Sequence, residues 1–246
     1  MNLNFKVLKS LAILAVKKTI WKSKLLFQRK VYISFGENCL TDNILDRHNL
    51  KSLTTAFSHG RSNIEYILQL EKANFEDFLN LGFLKYESVD GKSVPRLKKY
   101  TNIQNNYNEL HMNGVEFTHH DVIKNSETRD KMHKRVVDLK KHLNKKEVYI
   151  FYHHRVCANS NFPLLLKHLN ELKGIYSLNN KKTEIILFTQ KIVNDNNRKL
   201  VYELTDNIHF FTFNTVNEWQ GSNDDIFWAK CDEDLIKGMI DKVKTI

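Results

Sequence analysis

An unbroken apolar run, Val148-Tyr149-Ile150-Phe151-Tyr152, constrains the fold of this chain more than any other stretch of its sequence. A strand without alternating polar residues is buried on both faces, which is typical of the centre of a parallel sheet. Three further runs, 30–35, 184–188 and 208–213, are also rich in β-branched and aromatic residues. The sequence therefore predicts several strands that lie side by side in a covered sheet.

Helical patterns separate these predicted strands. The clearest is the amphipathic segment 126–143, and further helices are predicted over residues 42–49, 62–70, 75–79, 163–173, 198–204 and 232–244. Residues 82–118 lack a clear pattern, except that 114–118 is predicted to be a strand. Strands that alternate with helices predict an α/β fold with an open, mostly parallel sheet flanked by helices, in a Rossmann-like or SGNH-like three-layer arrangement.

The charge of the chain is concentrated at its start. Residues 1–30 carry eight basic side chains and no acidic one, within a formal net charge of +10 over 246 residues. Residues 1–29 are therefore predicted to form a basic amphipathic helix ahead of a single α/β domain over 30–246. Such a helix can contact an anionic membrane peripherally, or pack on the protein's own core with its lysines outward. Lys9 and Lys17 bound an apolar run too short for a membrane span.

The composition of the chain indicates which class of substrate it binds and in which cellular compartment it is found. The positive charge favours an anionic or polysaccharide substrate, and no nucleic-acid-binding module is recognisable. The three cysteines, Cys39, Cys157 and Cys231, are too few and too widely spaced for a disulfide framework or a zinc knuckle. We therefore expect a reducing, cytoplasmic location, with the possibility of peripheral contact at the inner face of the membrane.

Cys39 stands where a strand turns into a helix. Gly36 permits a tight turn after the first predicted strand, and Thr41 or Asp42 can cap the following helix. Backbone N–H groups and the helix dipole at that position stabilise a thiolate and are expected to lower the thiol pKa. The same N–H groups, with the Asn38 amide, can hold an oxyanion. Alternatively, Cys39 is a small buried residue beneath the strand end.

Two histidine clusters also follow predicted strands. His119-His120-Asp121 follows the strand at 114–118, and His153-His154-Arg155 follows the central apolar run. Because ligands bind at the carboxyl ends of parallel strands, these groups are expected to converge with Cys39 on one edge of the sheet. His120 is the first candidate for the base that a cysteine nucleophile needs, followed by His119, His153, His154 and His59. Asp121 cannot readily orient its own neighbour, so a capping role is its alternative.

No cofactor is expected. Despite eleven histidines, the metal-binding spacings of zinc sites are missing. Walker and G-x-G-x-x-G phosphate-binding loops are also missing from the sequence. An acyl donor such as coenzyme A is compatible with this chain but no motif supports it.

Several motifs carry a family resemblance. Ser34-x-Gly36-x-x-Cys39 resembles the motif that opens a bacterial family named for papain-like cysteine peptidases, and Thr118-His119-His120-Asp121 is similar to its later F-H-D motif. The resemblance covers roughly residues 30–155 and implies that Cys39, His120 and Asp121 are catalytic. In the loop around His59, this chain departs from the family's P-F-D-W sequence at Ala56, Ser58 and His59.

The position of the nucleophile also resembles that of SGNH-type esterases and of proteins that modify capsular polysaccharide by acyl transfer. Our leading interpretation is therefore a cysteine-dependent acyl-transfer enzyme, either a hydrolase or a transferase, that acts on a surface polysaccharide. Its expected oxyanion and substrate-binding residues are Gly36, Asn38, His59, His119, His153 and Arg155. The alternatives are a papain-like peptidase, a non-catalytic polysaccharide- or membrane-associated assembly protein, and a glycosyltransferase, although no D-x-D motif supports the last.

Overall fold

A computed structural model describes residues 28–89, 91–100 and 106–246. The predicted N-terminal helix and its membrane contact lie outside these residues. The strands are β1 (Lys30–Gly36), β2 (Leu84–Val89), β3 (Lys92–Leu97), β4 (Val115–Glu116), β5 (Glu147–His153), β6 (Lys182–Ile192), β7 (Lys199–Thr205) and β8 (Ile208–Thr215). The helices are α1 (Leu40–Arg47), α2 (Ile64–Lys72), α3 (Ser126–Leu143), α4 (Phe162–Ser177), α5 (Asp224–Phe227) and α6 (Glu233–Lys244). Short 3₁₀ turns cover Glu109–His111, Asp195–Asn197 and Lys230–Asp232.

The central sheet has the strand order β1-β5-β6-β8-β7. The pairs β1/β5, β5/β6 and β6/β8 are parallel, whereas β7 joins the edge antiparallel to β8. Every residue of β5 is buried, as its unbroken apolar run predicts for an inner strand. This arrangement confirms the predicted α/β fold with a mostly parallel sheet between helices.

Two apolar layers cover the sheet, one on each face. On one face, Val31, Ile33 and Phe35 of β1 belong to the same buried cluster as the apolar sides of α2, α3 and α4. On the other face, Tyr32 packs in a cluster with the apolar sides of α1 and α6. Because successive side chains of a strand point to opposite faces of the sheet, β1 contributes side chains to both apolar layers. Each helix of the described residues is too short or too polar to cross a membrane.

Two predicted helices are wrong. Residues 198–204 form the edge strand β7, because Asp206 (φ 49°) and Asn207 (φ 60°) both adopt the left-handed conformation of a two-residue hairpin turn. Residues 75–79 form successive turns and not a helix, with Phe78 N–H donating to the Phe75 carbonyl at 3.1 Å. Phe75 itself has a φ of 59°, which interrupts a right-handed helix at its start.

An insertion between β1 and β5 carries a second, antiparallel sheet of order β2-β3-β4. The loop after α1 is fastened to this sheet at Arg61, which exchanges two backbone hydrogen bonds with Glu116 of β4, at 2.8 and 3.1 Å. Gly60 permits that contact, because a Cβ atom there would lie 2.3 Å from the Glu116 carbonyl oxygen. The insertion thereby brings the loop at His59 beside the segment that follows β4.

We predict that Gly60→Ala destabilises the protein, because the added methyl group forces the loop away from β4. Overpacking of this kind typically costs about 1–3 kcal/mol. The matched control is Gly174→Ala in α4, where an added Cβ meets nothing within 4 Å. That change should stabilise the helix by about 0.5–1 kcal/mol. Urea unfolding followed by circular dichroism measures both, and similar effects at the two positions would contradict the role given to Gly60.

Candidate active site

Cys39 lies at the carboxyl end of β1 and is the N-cap residue of α1. The turn before it depends on Gly36, which has a φ of 142° and fits closely against β5. A Cβ at Gly36 would lie 3.3 Å from both the backbone nitrogen and the carbonyl oxygen of His153. Asn38 completes the turn by accepting the Leu40 N–H at 3.1 Å. The predicted strand-turn-helix placement of Cys39 is confirmed.

Burial raises the pKa of the Cys39 thiol above its ordinary value. The backbone N–H of Cys39 acts in the opposite direction, the nearby Asp42 carboxylate raises this pKa further, and the Arg61 guanidinium lowers it. The lowered pKa that the sequence predicted is therefore wrong, because desolvation of the half-buried thiol outweighs its backbone N–H and the Arg61 guanidinium. Cys39 is consequently a protonated thiol at neutral pH and needs a base to become a nucleophile.

Asp42 connects Cys39 to the histidine loop. Its carboxylate is buried and accepts the Ser34 hydroxyl at 2.9 Å and the Lys51 ammonium at 2.6 Å. The His59 Nε2 atom lies 4.0 Å from the same carboxylate. Cys39 is the N-cap residue of α1 and Asp42 its N3 residue, and the Asp42 charge is close enough to raise the pKa of the Cys39 thiol.

His59 and His120 form a pair beside Asp42. Their ring centroids are 6.0 Å apart, in an edge-to-face arrangement. Burial, followed by the Arg135 guanidinium, lowers the pKa of His120 to about 4. Burial also lowers the pKa of His59, and Asp42 only partly opposes it. Both imidazoles are therefore neutral at pH 7, the form in which a histidine can accept a proton.

The contacts of the two histidines differ. The Arg135 Nη1 atom lies 3.4 Å from His120 Nε2. A guanidinium only donates, so this contact engages the lone pair of His120 Nε2. His59 Nε2 instead faces the Asp42 carboxylate, which can only accept a hydrogen bond, so the ring proton of neutral His59 belongs on Nε2. The lone pair is then on Nδ1, and the contact with Asp42 does not involve it.

Asp121 and His119 are both exposed. Asp121 accepts the Tyr86 hydroxyl at 2.6 Å and the backbone N–H groups of Ile123 and Lys124 at 3.2 and 3.0 Å. These contacts fit the capping alternative for Asp121, whereas its catalytic role stays a prediction. The positive charge that His119 can carry is close enough to lower the pKa of both His59 and His120.

The second histidine cluster divides between two environments. His153 stacks on Phe188 with 4.9 Å between ring centroids, and burial lowers its pKa to about 3. With Arg155 it lines a cavity of about 580 Å³ at the carboxyl ends of β5, β6 and β8. His154 does not line this cavity, and its Nδ1 atom lies 2.6 Å from the buried carboxylate of Glu37, which the Arg155 backbone N–H also contacts at 3.0 Å. The structure thus places Cys39 and His59 near Asp42, His120 beside His59, and His153 and Arg155 at a cavity.

From the sequence alone, Glu37, Arg61 and Arg135 receive no role in these clusters, and Asp42 receives only that of a helix cap. Asp42 was considered only as a cap, although its position three residues after Cys39 is a signal that the two side chains face each other. Glu37 stands inside the turn motif itself, where a charged residue between two apolar elements signals a buried partner. No sequence spacing indicates the roles of Arg61 and Arg135. Among the described residues, no group of three or more His, Cys, Asp or Glu side chains is arranged to hold a metal ion.

We predict that Asp42→Asn lowers the pH midpoint for alkylation of Cys39, because it removes a negative charge that opposes the thiolate. In the wild-type chain the midpoint should lie above about 8.5, the value of an ordinary thiol. The measurement is iodoacetamide labelling of tryptic peptide 31–47 against pH, in which Cys39 is the only cysteine. Asp46→Asn is the matched control, since it removes an equal charge from an exposed position of α1. Equal shifts in both variants would contradict a local effect of Asp42.

Comparison with known proteins identifies one family. The family described as "Putative papain-like cysteine peptidase (DUF1796)" matches residues 30–209. The matched range includes Cys39, Asp42, His59, His120 and Asp121. Neither a curated protein nor a solved structure matches the chain. Because the family match spans well over half of the sequence, the chain belongs to this family.

Proposed function

We propose that this protein is a thiol-dependent acyl-transfer enzyme with Cys39 as its nucleophile. The observation that carries the proposal is the position of Asp42, which lies beside the half-buried Cys39 thiol and 4.0 Å from a neutral histidine. A thiol, an imidazole and a carboxylate gathered at one place are the parts of a cysteine-dependent acyl-transfer site. The family description agrees with this chemistry, since cleavage of a peptide bond is acyl transfer to water.

The contacts favour His59 as the base and Asp42 as the residue that orients it. In the first step, the Cys39 Sγ atom attacks the substrate carbonyl carbon while its proton passes to an imidazole nitrogen. The leaving group then takes that proton, and an acyl thioester remains on Cys39. Because His120 Nε2 faces the Arg135 guanidinium, we place His120 beside the reaction as a neutral neighbour of His59. The assignment of the base to His120 from the sequence stays the competing prediction.

Asn38 and the first turn of α1 are placed to stabilise the oxyanion. The Asn38 side-chain oxygen already accepts the Leu40 N–H, so its amide NH₂ group is the end that remains to donate. Cys39 makes no side-chain cap to α1, so its side chain leaves the N–H groups of the first turn to other acceptors. Such donors stabilise the negative charge that develops on a carbonyl oxygen.

The acceptor of the acyl group decides the biological reaction. Water as the acceptor gives hydrolysis, as the family description suggests. A hydroxyl group of a sugar gives the polysaccharide modification that the nucleophile placement suggested. We propose the same Cys39 acyl-enzyme intermediate for both.

Acylation of Cys39 by p-nitrophenyl acetate tests the nucleophile. We expect an acetyl group on peptide 31–47 of acid-quenched wild-type protein, detected by mass spectrometry, and its loss in Cys39→Ala. Cys231→Ala is the matched control, because burial and the Asp232 carboxylate raise the pKa of the Cys231 thiol to about 11. Wild-type protein that carries no acetyl group on Cys39 after this treatment would contradict the proposal.

The rate of Cys39 acylation distinguishes the two histidines. His59→Gln should slow acylation by about 10²–10⁴-fold, the usual contribution of a general base, and His120→Gln by less than tenfold. A base accepts a proton only when neutral, so the rate is lost as pH falls through the pKa of His59. Since that pKa is lowered, the loss should occur below about 6.5, the ordinary value for histidine. A larger effect of His120→Gln would assign the base to His120 and overturn the assignment to His59.

A further inference from the structure

A second chain of hydrogen-bonding side chains lies at the carboxyl ends of β1 and β5. His154 Nε2 is 2.8 Å from the Ser160 hydroxyl, and His154 Nδ1 is 2.6 Å from a carboxylate oxygen of Glu37. A hydroxyl, an imidazole and a carboxylate joined through the two nitrogens of one ring form the geometry of a serine hydrolase triad. None of these three residues takes part in the chemistry proposed for Cys39.

Glu37 fixes the tautomer of His154. Its carboxylate is fully buried and also accepts the Arg155 backbone N–H at 3.0 Å and the Tyr152 hydroxyl at 3.4 Å. Burial alone would raise the pKa of Glu37, but His154, followed by His111 and the Arg155 backbone N–H, holds it below its ordinary value. An ionised carboxylate only accepts, so the ring proton of His154 resides on Nδ1. In the neutral ring with its proton on Nδ1, the lone pair of Nε2 is directed at the Ser160 hydroxyl.

Ser160 is placed to react. It is half-buried and lies two residues before α4, in the segment that leaves the central strand β5. The Cys157 backbone N–H donates to Ser160 Oγ at 2.9 Å, and a donor at that atom stabilises the alkoxide that forms when the proton leaves. The Cys157 Sγ atom lies farther away, at 3.5 Å from the same oxygen. The shorter distance to His154 makes Nε2 the acceptor of the serine proton.

The cavity of about 580 Å³ lies next to this group, although Glu37, His154 and Ser160 do not themselves line it. Arg155 and Val156, which immediately follow His154, line it, and so does Phe162, whose ring packs edge-on against His154 at 5.7 Å. Phe210 and Trp219 extend its apolar wall. Such a cavity suits the apolar part of a small carboxylic acid, with the Arg155 side chain beside it.

We propose that Ser160, His154 and Glu37 form a second nucleophilic centre, which takes the acyl group of an ester whose acid part is apolar. Ser160 Oγ forms a bond to the carbonyl carbon, and its proton moves to His154 Nε2. The bond to the alcohol breaks, and the alcohol leaves with that proton. Water then attacks the carbonyl carbon of the acyl-serine and gives a proton to His154 Nε2. That proton returns to Ser160 Oγ as the acid leaves. Glu37 holds the ring in place and stabilises the positive charge on it.

A fluorophosphonate probe tests this centre without knowledge of the substrate. Ser160 Oγ bonds to phosphorus, fluoride leaves, and the serine proton passes to His154. We expect modification of tryptic peptide 156–167, in which Ser160 is the only serine. Labelling should be lost in Ser160→Ala and slowed at least tenfold in His154→Gln. Ser177→Ala, at the exposed end of α4, is the matched control and should label like the wild-type chain.

The outcomes also separate this centre from Cys39. Ser160 should be labelled in Cys39→Ser, because the second centre does not use that thiol. A folded wild-type chain whose Ser160 stays unmodified, or a folded His154→Gln chain labelled at the wild-type rate, would overturn the proposal. If His154→Gln fails to fold, Ser160→Cys gives the test with His154 intact. An alkylation midpoint below about 8.5 at that position supports the proposal, and an ordinary midpoint contradicts it.

Discussion

The buried carboxylate of Glu37 joins the end of β1 to the end of β5. Glu37 itself is the first residue after β1, in the turn that carries Cys39. Its partners His154 and Arg155 are the first two residues after β5. A buried charge is tolerated only when it is paired and hydrogen-bonded, and removing one partner of such a pair typically costs about 3–5 kcal/mol. Glu37 has three donors. The positions of Cys39, of the cavity at Arg155 and of Ser160 therefore all depend on one buried, hydrogen-bonded carboxylate between neighbouring strands.

The electrostatics of Cys39 differ from those of papain, for which the family is named. Papain's histidine-paired thiol has a pKa of about 3–4, so its thiolate exists before the substrate binds. Here burial raises the pKa of Cys39, and His59 and His120 both have lowered pKa values. A thiol and imidazole shifted in opposite directions are neutral at rest. For the mechanism proposed for Cys39, this means that proton transfer accompanies nucleophilic attack.

The sequence predicts the parallel core well because its signals are local. The apolar runs of β1 and β5 and the glycine after β1 specify strands and a turn without reference to distant residues. The error at β7 has a local cause too, because its residue pattern is compatible with a helix and Asp206-Asn207 lacks the glycine of the commonest hairpin turns. Residue propensity alone does not distinguish a helix from a strand here, because the edge strand β7 gains its stability from pairing with β8.

The candidate sites could be predicted only in part, because they depend on contacts between distant segments. His153 and His154 are adjacent, yet one faces the cavity and the other faces Glu37, since successive strand residues point to opposite sides. The sequence does not indicate which neighbour faces which side.

The pairing of His59 with His120 depends on long-range contacts in the same way. It requires the exchange of backbone hydrogen bonds between Arg61 and Glu116, which Gly60 makes possible. The Glu116 carboxylate pairs with the buried guanidinium of Arg96 and also with Arg61. These ion pairs fix the loop at Arg61 against β4. Two loops separated by 61 residues thus meet through an acidic residue of β4 that takes no part in the chemistry proposed for either site.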